Sequence, residues 1–481
     1  MARKSKRKTP SIAFHRNFVE PSTEDRSAAL GAFPGAPHTA KSRKKMILPH
    51  TNGRPSLLES KVTTEEALDD LDKELLYMHT PRSETKRAIP HPNNELDWLA
   101  QIPEEGQTFE EFVSFQTSRS GRIRPIVNAN GNEILLLPVV RESDAERNDS
   151  DDAASGGKWP SHGPSLDLLA KYTKAFFDRE VFVLSPAVVS LKKAMVIKSA
   201  TRKSKEPGAF ATSCGTKNMF EIRFPYKGRI PKGGSDSLGK AVKINGRGDF
   251  KTNRIQLEID SLLDALASFR DGVDPLWYDA NGHSHLRHNF CVMGITMEDL
   301  YDTPSDLFCA GMAYGGSKVA CFSFSRYHPH LKMSPQHWYD YVYTDKSSSY
   351  SYYDDDSKDK PEGTMDPIDI GDMNHTTGSE YLRRSGKLLV HELGHLYGID
   401  HCIFNRCLMN GTAHLVEDFA APSHLCGVCL RKLQWRLGFD VKGRYASLAT
   451  AFSDMGMEKE QKWAQKQYDA LAKVVGDNQA K

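Results

Sequence analysis

Two histidines four residues apart, His391 and His395, form the part of the sequence best suited to chemistry. On a helix they lie on one face, one turn apart, where two imidazoles can bind one zinc ion. Glu392 follows the first histidine, where it can act as general base on a zinc-activated water. Gly398 is expected to end the helix, because a residue without Cβ adopts the left-handed turn at low cost. The turn returns His401 as third ligand, and three nitrogen ligands leave a position open, as is typical of catalytic zinc.

The complete pattern HExxHxxGxxH is far more specific than HExxH alone. It predicts an enzyme, a zinc metallopeptidase that hydrolyses peptide bonds. Two alternatives are surface histidines on an ordinary helix and a zinc-binding protein whose catalysis is weak.

A second cluster of metal-ligand type follows the third histidine directly. Cys402, Cys407, Cys426 and Cys429 supply four thiolates in the order CxxxxC and CxxC, enough for a closed tetrahedral zinc site. Such a site would be structural and would clamp the loop that carries His401. The alternatives are four reduced core cysteines and a redox CxxC pair, whose usual context is a thioredoxin-like fold. The predicted metal content is therefore two zinc ions per chain, one catalytic and one structural.

The stretch HELGHLYGIDHCIFNRCLMN, followed by CGVC, resembles the archaemetzincin family of metzincin zinc peptidases, in its eukaryotic branch. The segments 97–112 (DWLAQIPEEGQTFEEF) and 313–329 (AYGGSKVACFSFSRYHP) add to the resemblance. It implies that Met409 is the Met-turn residue, a hydrophobic floor beneath the histidines. The 16-residue spacer between Met409 and Cys426 is one residue shorter than is usual in the family. Position 411 is Gly, so the tyrosine that many metzincins have there is missing.

The resemblance also implies a fold and a mode of action. We expect an α+β, metzincin-like catalytic domain with a mixed, mostly parallel sheet, an active-site helix and a C-terminal helical part. By fold analogy, 317–327 (SKVACFSFSRY) would be the edge strand against which an extended peptide pairs, and the alternative is an ordinary strand of the sheet. The family also suggests aminopeptidase-like action on short peptides.

Composition and periodicity predict the organisation of the chain. We expect a disordered basic tail over 1–60, an N-terminal region and linker over 61–163, the catalytic domain over 164–445, and a C-terminal helix and tail over 446–481. Inserts near 200–250 and 340–377 are expected to loop out. Residues 254–269 (RIQLEIDSLLDALASF) read as one amphipathic helix.

The bulk properties limit the partners. The net charge is +2, and neither aromatic–basic interleaving nor a carboxylate cluster for paired metals is present, so no nucleic-acid partner is expected. No apolar run is long enough for a membrane span, and the N-terminus lacks the hydrophobic stretch of a secretory signal. We therefore expect an intracellular protein, cytoplasmic or nuclear, that is a monomer and takes a peptide or protein substrate. The runner-up hypothesis is a zinc-dependent interaction protein.

Overall fold

The computed structural model describes a mixed sheet covered by helices. The residues that it describes are 21, 23–30, 92, 97–117, 133–142, 158–195, 217–225, 241–249, 254–270, 290–303, 306, 308–329 and 375–479. The helices are α1 (Thr23–Leu30), α2 (Trp98–Gln101), α3 (Phe109–Thr117), α4 (Leu166–Phe177), α5 (Ile259–Arg270), α6 (His375–Leu396), α7 (Leu415–Ala420), α8 (Gly427–Leu437), α9 (Val441–Asp454) and α10 (Glu458–Gln479). The strands are β1 (Ile134–Arg141), β2 (Val181–Val183), β3 (Ala187–Met195), β4 (Lys217–Arg223), β5 (Val242–Asp249), β6 (Arg254–Glu258), β7 (Cys291–Thr296), β8 (Asp299–Tyr301), β9 (Gly311–Tyr314) and β10 (Val319–Ser323). None of the described helices is both long enough and apolar enough to cross a bilayer.

The ten strands form one sheet in the order β8-β6-β5-β4-β3-β1-β7-β10-β9, with β2 paired to β1 beside β3. The pairings around β1 and β7 are parallel, whereas β3 to β6 and the β9–β10 pair are antiparallel. The expectation of a mixed sheet is confirmed. At the two ends of this order, Leu300 of β8 forms a single bridge with Cys309, which precedes β9.

The central strands are buried on both faces, so their sequences are apolar without alternation. Leu136, Met293 and Phe322 face a core shared with the helices α4, α6, α8 and α9. Leu137, Val292 and Cys321 point the other way, into a second core under α5. The sheet therefore separates two apolar layers, and the first of them supports α6.

Three predictions about the organisation of the chain differ from the structure. β1 lies at the centre of the sheet, so a domain boundary at 164 cuts through one core, because ILLLPVV pairs with strands on both sides. The predicted C-terminal helix is present as α10, but the boundary at 446 cuts α9, which begins at Val441. This helix packs on α4 through Tyr172 and Phe452, whose ring centroids are 5.4 Å apart. Within the predicted disordered tail, α1 is helical and buries Ala29 and Leu30, because these apolar side chains meet the first core.

The predictions for the inserts and for one helix also need correction. Residues 217–223 and 242–249 are strands β4 and β5, whose pairing extends the sheet, so this insert does not loop out entirely. Residues 254–258 form β6 rather than the start of a helix, because Ile255 and Leu257 alternate into the second core and pair with β5 and β8. Most of the insert near 340–377 lies outside the described residues, and α6 begins at His375.

Candidate active site

The helix α6 ends in a turn that reverses the chain directly after the two histidines. Gly398 has φ +86°, and its N–H donates to the His395 carbonyl at 2.8 Å. The Ile399 N–H donates to the Gly394 carbonyl at 3.1 Å, which completes a Schellman motif. The predicted role of Gly398 as the turn residue agrees with this geometry. The reversal brings His401 back beside α6.

The rings of His391, His395 and His401 face one another. Their ring centroids are 4.7 Å (391–395), 4.9 Å (395–401) and 5.5 Å (391–401) apart. One nitrogen from each ring lies within 4.8 Å of the other two. The spacing in the sequence and the turn thus bring all three predicted ligands together.

The hydrogen bonds of the rings determine which nitrogen is available. His391 Nδ1 donates to the Leu408 carbonyl, and His395 Nδ1 donates to the Ile399 carbonyl, both at 2.8 Å. A carbonyl only accepts, so both Nδ1 atoms carry a proton, and in a neutral ring Nε2 then carries a lone pair. Burial lowers the pKa of His391 to about 3 and the pKa of His395 well below its usual range, so both rings are neutral.

The two Nε2 atoms of His391 and His395 approach to 3.0 Å. Two lone pairs at that distance repel each other unless a cation lies between them. A tetrahedral zinc with Zn–N bonds of about 2.0–2.1 Å holds its nitrogens about 3.3 Å apart. The donor set and its spacing therefore fit a zinc ion.

The third histidine is oriented by a carboxylate that the sequence analysis missed. His401 Nδ1 donates to Glu104 Oε1 at 2.9 Å, and Trp98 Nε1 donates to the same oxygen at 2.7 Å. The bond from His401 is the largest influence on Glu104 and lowers its pKa. A separation of 297 residues hides this pair from any local pattern, and only the resemblance of 97–112 to the family pointed to the segment.

Glu392 lies beside the histidines in a cleft of about 470 Å³. Burial raises its pKa to about 7, His401 opposes this shift, and Asp418 adds to it. A carboxylate with a pKa near neutrality is well matched to general-base work. The cleft is lined by Asp302, Asp306, 308–313, Tyr327, Lys387, Leu388, His391, Glu392, His395, His401, Leu408, Asn410, 412–415, Asp418 and Ala421.

The four cysteines also come together. Cys402, Cys407, Cys426 and Cys429 are buried and free, and their sulfur atoms all lie within 4.8 Å of one another. The Sγ atoms of Cys402 and Cys426 are 3.7 Å apart, close to the edge of about 3.8 Å that Zn–S bonds of about 2.3 Å give in a tetrahedron. The backbone N–H groups of Met409 and Cys426 donate to Cys407 Sγ, at 3.4 and 3.2 Å. The cluster fits a structural zinc.

The loop between the cysteines connects the two clusters. Leu408 supplies the carbonyl that orients His391, and Met409 is fully buried beneath Gly394. A Cβ on Gly394 would lie 2.7 Å from Met409 Sδ, so the helix and the loop are in close contact. Met409 thus packs against α6 at Gly394, and its role as the Met-turn residue stays a prediction. Asn410, another residue that the sequence analysis missed, ties the loop together through its side-chain amide.

A third group of residues that could bind a metal, Asp97, His414 and Glu417, forms a hydrogen-bonded network. His414 Nε2 contacts Asp97 Oδ1 at 2.9 Å, and His414 Nδ1 accepts the Glu417 N–H at 3.2 Å. Glu417 Oε2 accepts the backbone N–H groups of Trp98 and Ala413, at 3.0 and 2.8 Å. Each potential ligand atom already has a hydrogen-bond partner, so this group is better suited to joining α2 to α7.

A family model and several known proteins are similar to parts of this chain. A family model described as Peptidase family M54 matches residues 370–435, the span of α6, the turn and the cysteine loop. Archaemetzincin-2 of Rattus norvegicus is 39% identical over 166 residues, which are 34% of this chain and 42% of that protein. Archaemetzincin-1 of Homo sapiens is 29% identical over 210 residues, 44% of this chain and 36% of that protein.

Over these spans the chain is similar to the archaemetzincin family. It spans less than half the length of the relatives that it matches. The crystal structure of archaemetzincin from Methanopyrus kandleri is 17% identical, with 65% of this chain and 98% of that chain covered. The TM-score between the two structures is 0.29.

Proposed function

We propose that the chain is a zinc-dependent peptidase with a metzincin-like active-site helix, α6. The observation that carries the proposal is the convergence of three histidine nitrogens beside Glu392 in one cleft. His391, His395 and His401 would hold the catalytic zinc, and the four cysteines would hold a structural zinc. When bound, zinc supplies a Lewis acid at its open position, which polarises a peptide carbonyl and acidifies water.

Glu392 has the protonation chemistry that hydrolysis requires. As a carboxylate it accepts a proton from the attacking water while the water oxygen bonds to the peptide carbon. It then returns the proton to the departing nitrogen as the C–N bond breaks. The buried position of Glu392 keeps its pKa near neutrality before the metal binds, and the positive charge of zinc would lower that pKa.

The strand β9 offers a place for the peptide backbone. The predicted edge strand, 317–327, contains β10, which has partners on both sides, β7 and β9, and so is not at the edge. The strand at the end of the sheet path is β9, and Gly311, Met312 and Ala313 in it line the cleft. An extended substrate would pair with this strand. A cleft of about 470 Å³ falls in the range of small-ligand pockets, which favours a short peptide and the aminopeptidase-like action suggested by the family.

The test compares wild type with Glu392→Gln, both zinc-loaded, on a diverse peptide library read by mass spectrometry. Glutamine keeps the shape but is not a base, so zinc content should stay unchanged while cleavage falls about 10²–10⁴-fold. Glu105→Gln, which changes an exposed carboxylate, is the matched control and should cleave normally. Amino-terminal cleavage products would support the aminopeptidase reading, and internal products would contradict it.

Equal cleavage by wild type and Glu392→Gln would refute the role of Glu392. No cleavage by zinc-loaded wild type would refute the peptidase and favour a catalytically weak zinc-binding interaction protein.

A further inference from the structure

The N-terminal segment 97–117, here called the strap, contacts the loop that carries the third histidine. It lies far outside the residues that match the family model. Glu104 of the strap accepts the His401 Nδ1–H, and the indole of Trp98 packs edge-on against His401, with ring centroids 5.2 Å apart. The ligand His401 therefore has two neighbours from one distant segment.

Further contacts hold the strap and this loop in register. Gln107 Nε2 donates to Asp400 Oδ2 at 2.8 Å and to the Gly398 carbonyl at 3.3 Å. Gln116 Nε2 donates to the Tyr397 carbonyl at 3.3 Å. Tyr397, Gly398, Asp400 and His401 thus each form a hydrogen bond with the strap.

Close packing adds to these hydrogen bonds. Gly106 has φ +75°, and a Cβ there would lie 2.7 Å from Ile403 Cγ1. The strap backbone can approach the loop this closely only because position 106 lacks a side chain. The position of Glu104, two residues earlier, is therefore set by the packing of its neighbours.

The three histidines differ in what orients them. His391 and His395 donate to backbone carbonyls that belong to the helix end and the cysteine loop. His401 instead donates to a carboxylate, which is a stronger acceptor because it is charged. A carboxylate in this place selects the Nδ1–H tautomer and aims Nε2 at the metal.

We propose that Glu104 is a positioning residue of the catalytic zinc site, which acts through His401. The proposal rests on the proposed function only in assigning zinc to the three histidines. Partners of this kind typically contribute 10–100-fold to metal affinity. The strap would then be a required part of the zinc site, although it lies outside the metal-binding motif.

The experiment measures zinc affinity of the histidine site in the full chain, by competition with a chromophoric chelator. Glu104→Gln keeps an acceptor but loses the charge, and we expect about a 10-fold loss of affinity. Glu104→Ala removes the acceptor, and we expect about a 100-fold loss. Glu105→Gln, at an exposed neighbouring position, should bind zinc like wild type.

Two further readouts separate positioning from general damage. The cysteine-bound zinc and the melting temperature of protein without zinc at the histidine site should be unchanged in Glu104→Gln. Wild-type zinc affinity in both Glu104 variants would overturn the proposal. A clear fall in that melting temperature in Glu104→Gln would overturn the proposal too, because the loss of zinc affinity would then follow from a structural role of Glu104. Zinc affinity does not depend on cleavage. If wild type cleaves nothing while zinc affinity falls from wild type to Glu104→Gln to Glu104→Ala, the peptidase proposal is refuted and the role of Glu104 stands.

Discussion

Asn410 offers the sharpest test of how the loop between the two metal sites is held. Its Nδ2 donates to the carbonyls of Cys402 and Asn405, at 2.6 and 2.9 Å. Its Oδ1 accepts the Cys407 N–H at 2.7 Å. The side chain is buried, with 8% of its surface exposed, so water replaces these bonds poorly.

Asn410→Ala leaves three backbone groups without this partner. A buried polar group left unsatisfied costs about 1–3 kcal/mol, and at the low end of that range three groups give a loss of about 3 kcal/mol. The low end applies because the smaller side chain leaves space that a water can enter. The expected result is therefore a free energy of unfolding about 3 kcal/mol below wild type.

The assay is urea unfolding in buffer with zinc in excess, so that metal loss does not enter the comparison. Asn405→Ala, in the same loop, is the matched control: its side chain accepts one hydrogen bond, from Arg26 Nη2 at 2.5 Å, and its removal should cost about 1 kcal/mol. If Asn410→Ala destabilises no more than Asn405→Ala, the loop is held by other contacts and the reasoning fails.

Two further predictions concern the helix end and a buried lysine. Gly398→Ala should lower the free energy of unfolding by about 1–2 kcal/mol, because φ +86° is strained for a residue with Cβ, and Gly398→Asn should cost less; equal stability of Gly398→Ala and wild type by urea unfolding would contradict this. Burial, with Arg436 nearby, lowers the pKa of Lys318 to about 7. Below pH 7 the lysine is protonated in both the folded and the unfolded protein, and the cost of burying its charge lowers the stability in full. This cost is lost as the pH rises from 7 to about 10.5, where the folded protein has released the proton and the unfolded protein still holds it. Over that window wild-type stability should rise relative to Lys318→Met by up to about 1.4 kcal/mol per pH unit, and parallel pH profiles of the two proteins would rule the prediction out.

Local patterns predicted the elements that have a clear helical periodicity or a continuous apolar run. The apolar side chains of 166–177 (LDLLAKYTKAFF) lie at helical spacing, which predicts a helix, and the structure has α4 over the same residues. The short apolar run 134–140 (ILLLPVV) predicts a buried strand, and it forms most of β1. Residues 254–258 failed the same test, because the alternation of Ile255 and Leu257 is too short to distinguish from the helix that follows.

The sequence by itself determined the chemistry of the two candidate metal sites. Residue type and spacing select His391, Glu392 and His395 on one helix face, and the glycine that follows determines where the chain reverses. The four cysteines are predictable for the same reason, since pairs of ligands lie close together along the chain. These relations span one or two turns of backbone, where local geometry leaves few alternatives.

Tertiary structure alone decided what surrounds those ligands. Glu104 meets His401 across 297 residues, and Leu408 meets His391 across 17, through a loop whose shape depends on the cysteine cluster. The cleft wall on β9 exists because the sheet places that strand beyond β10. Such contacts depend on how separate elements pack, and no periodicity in the sequence encodes the distance between two segments that meet only after folding.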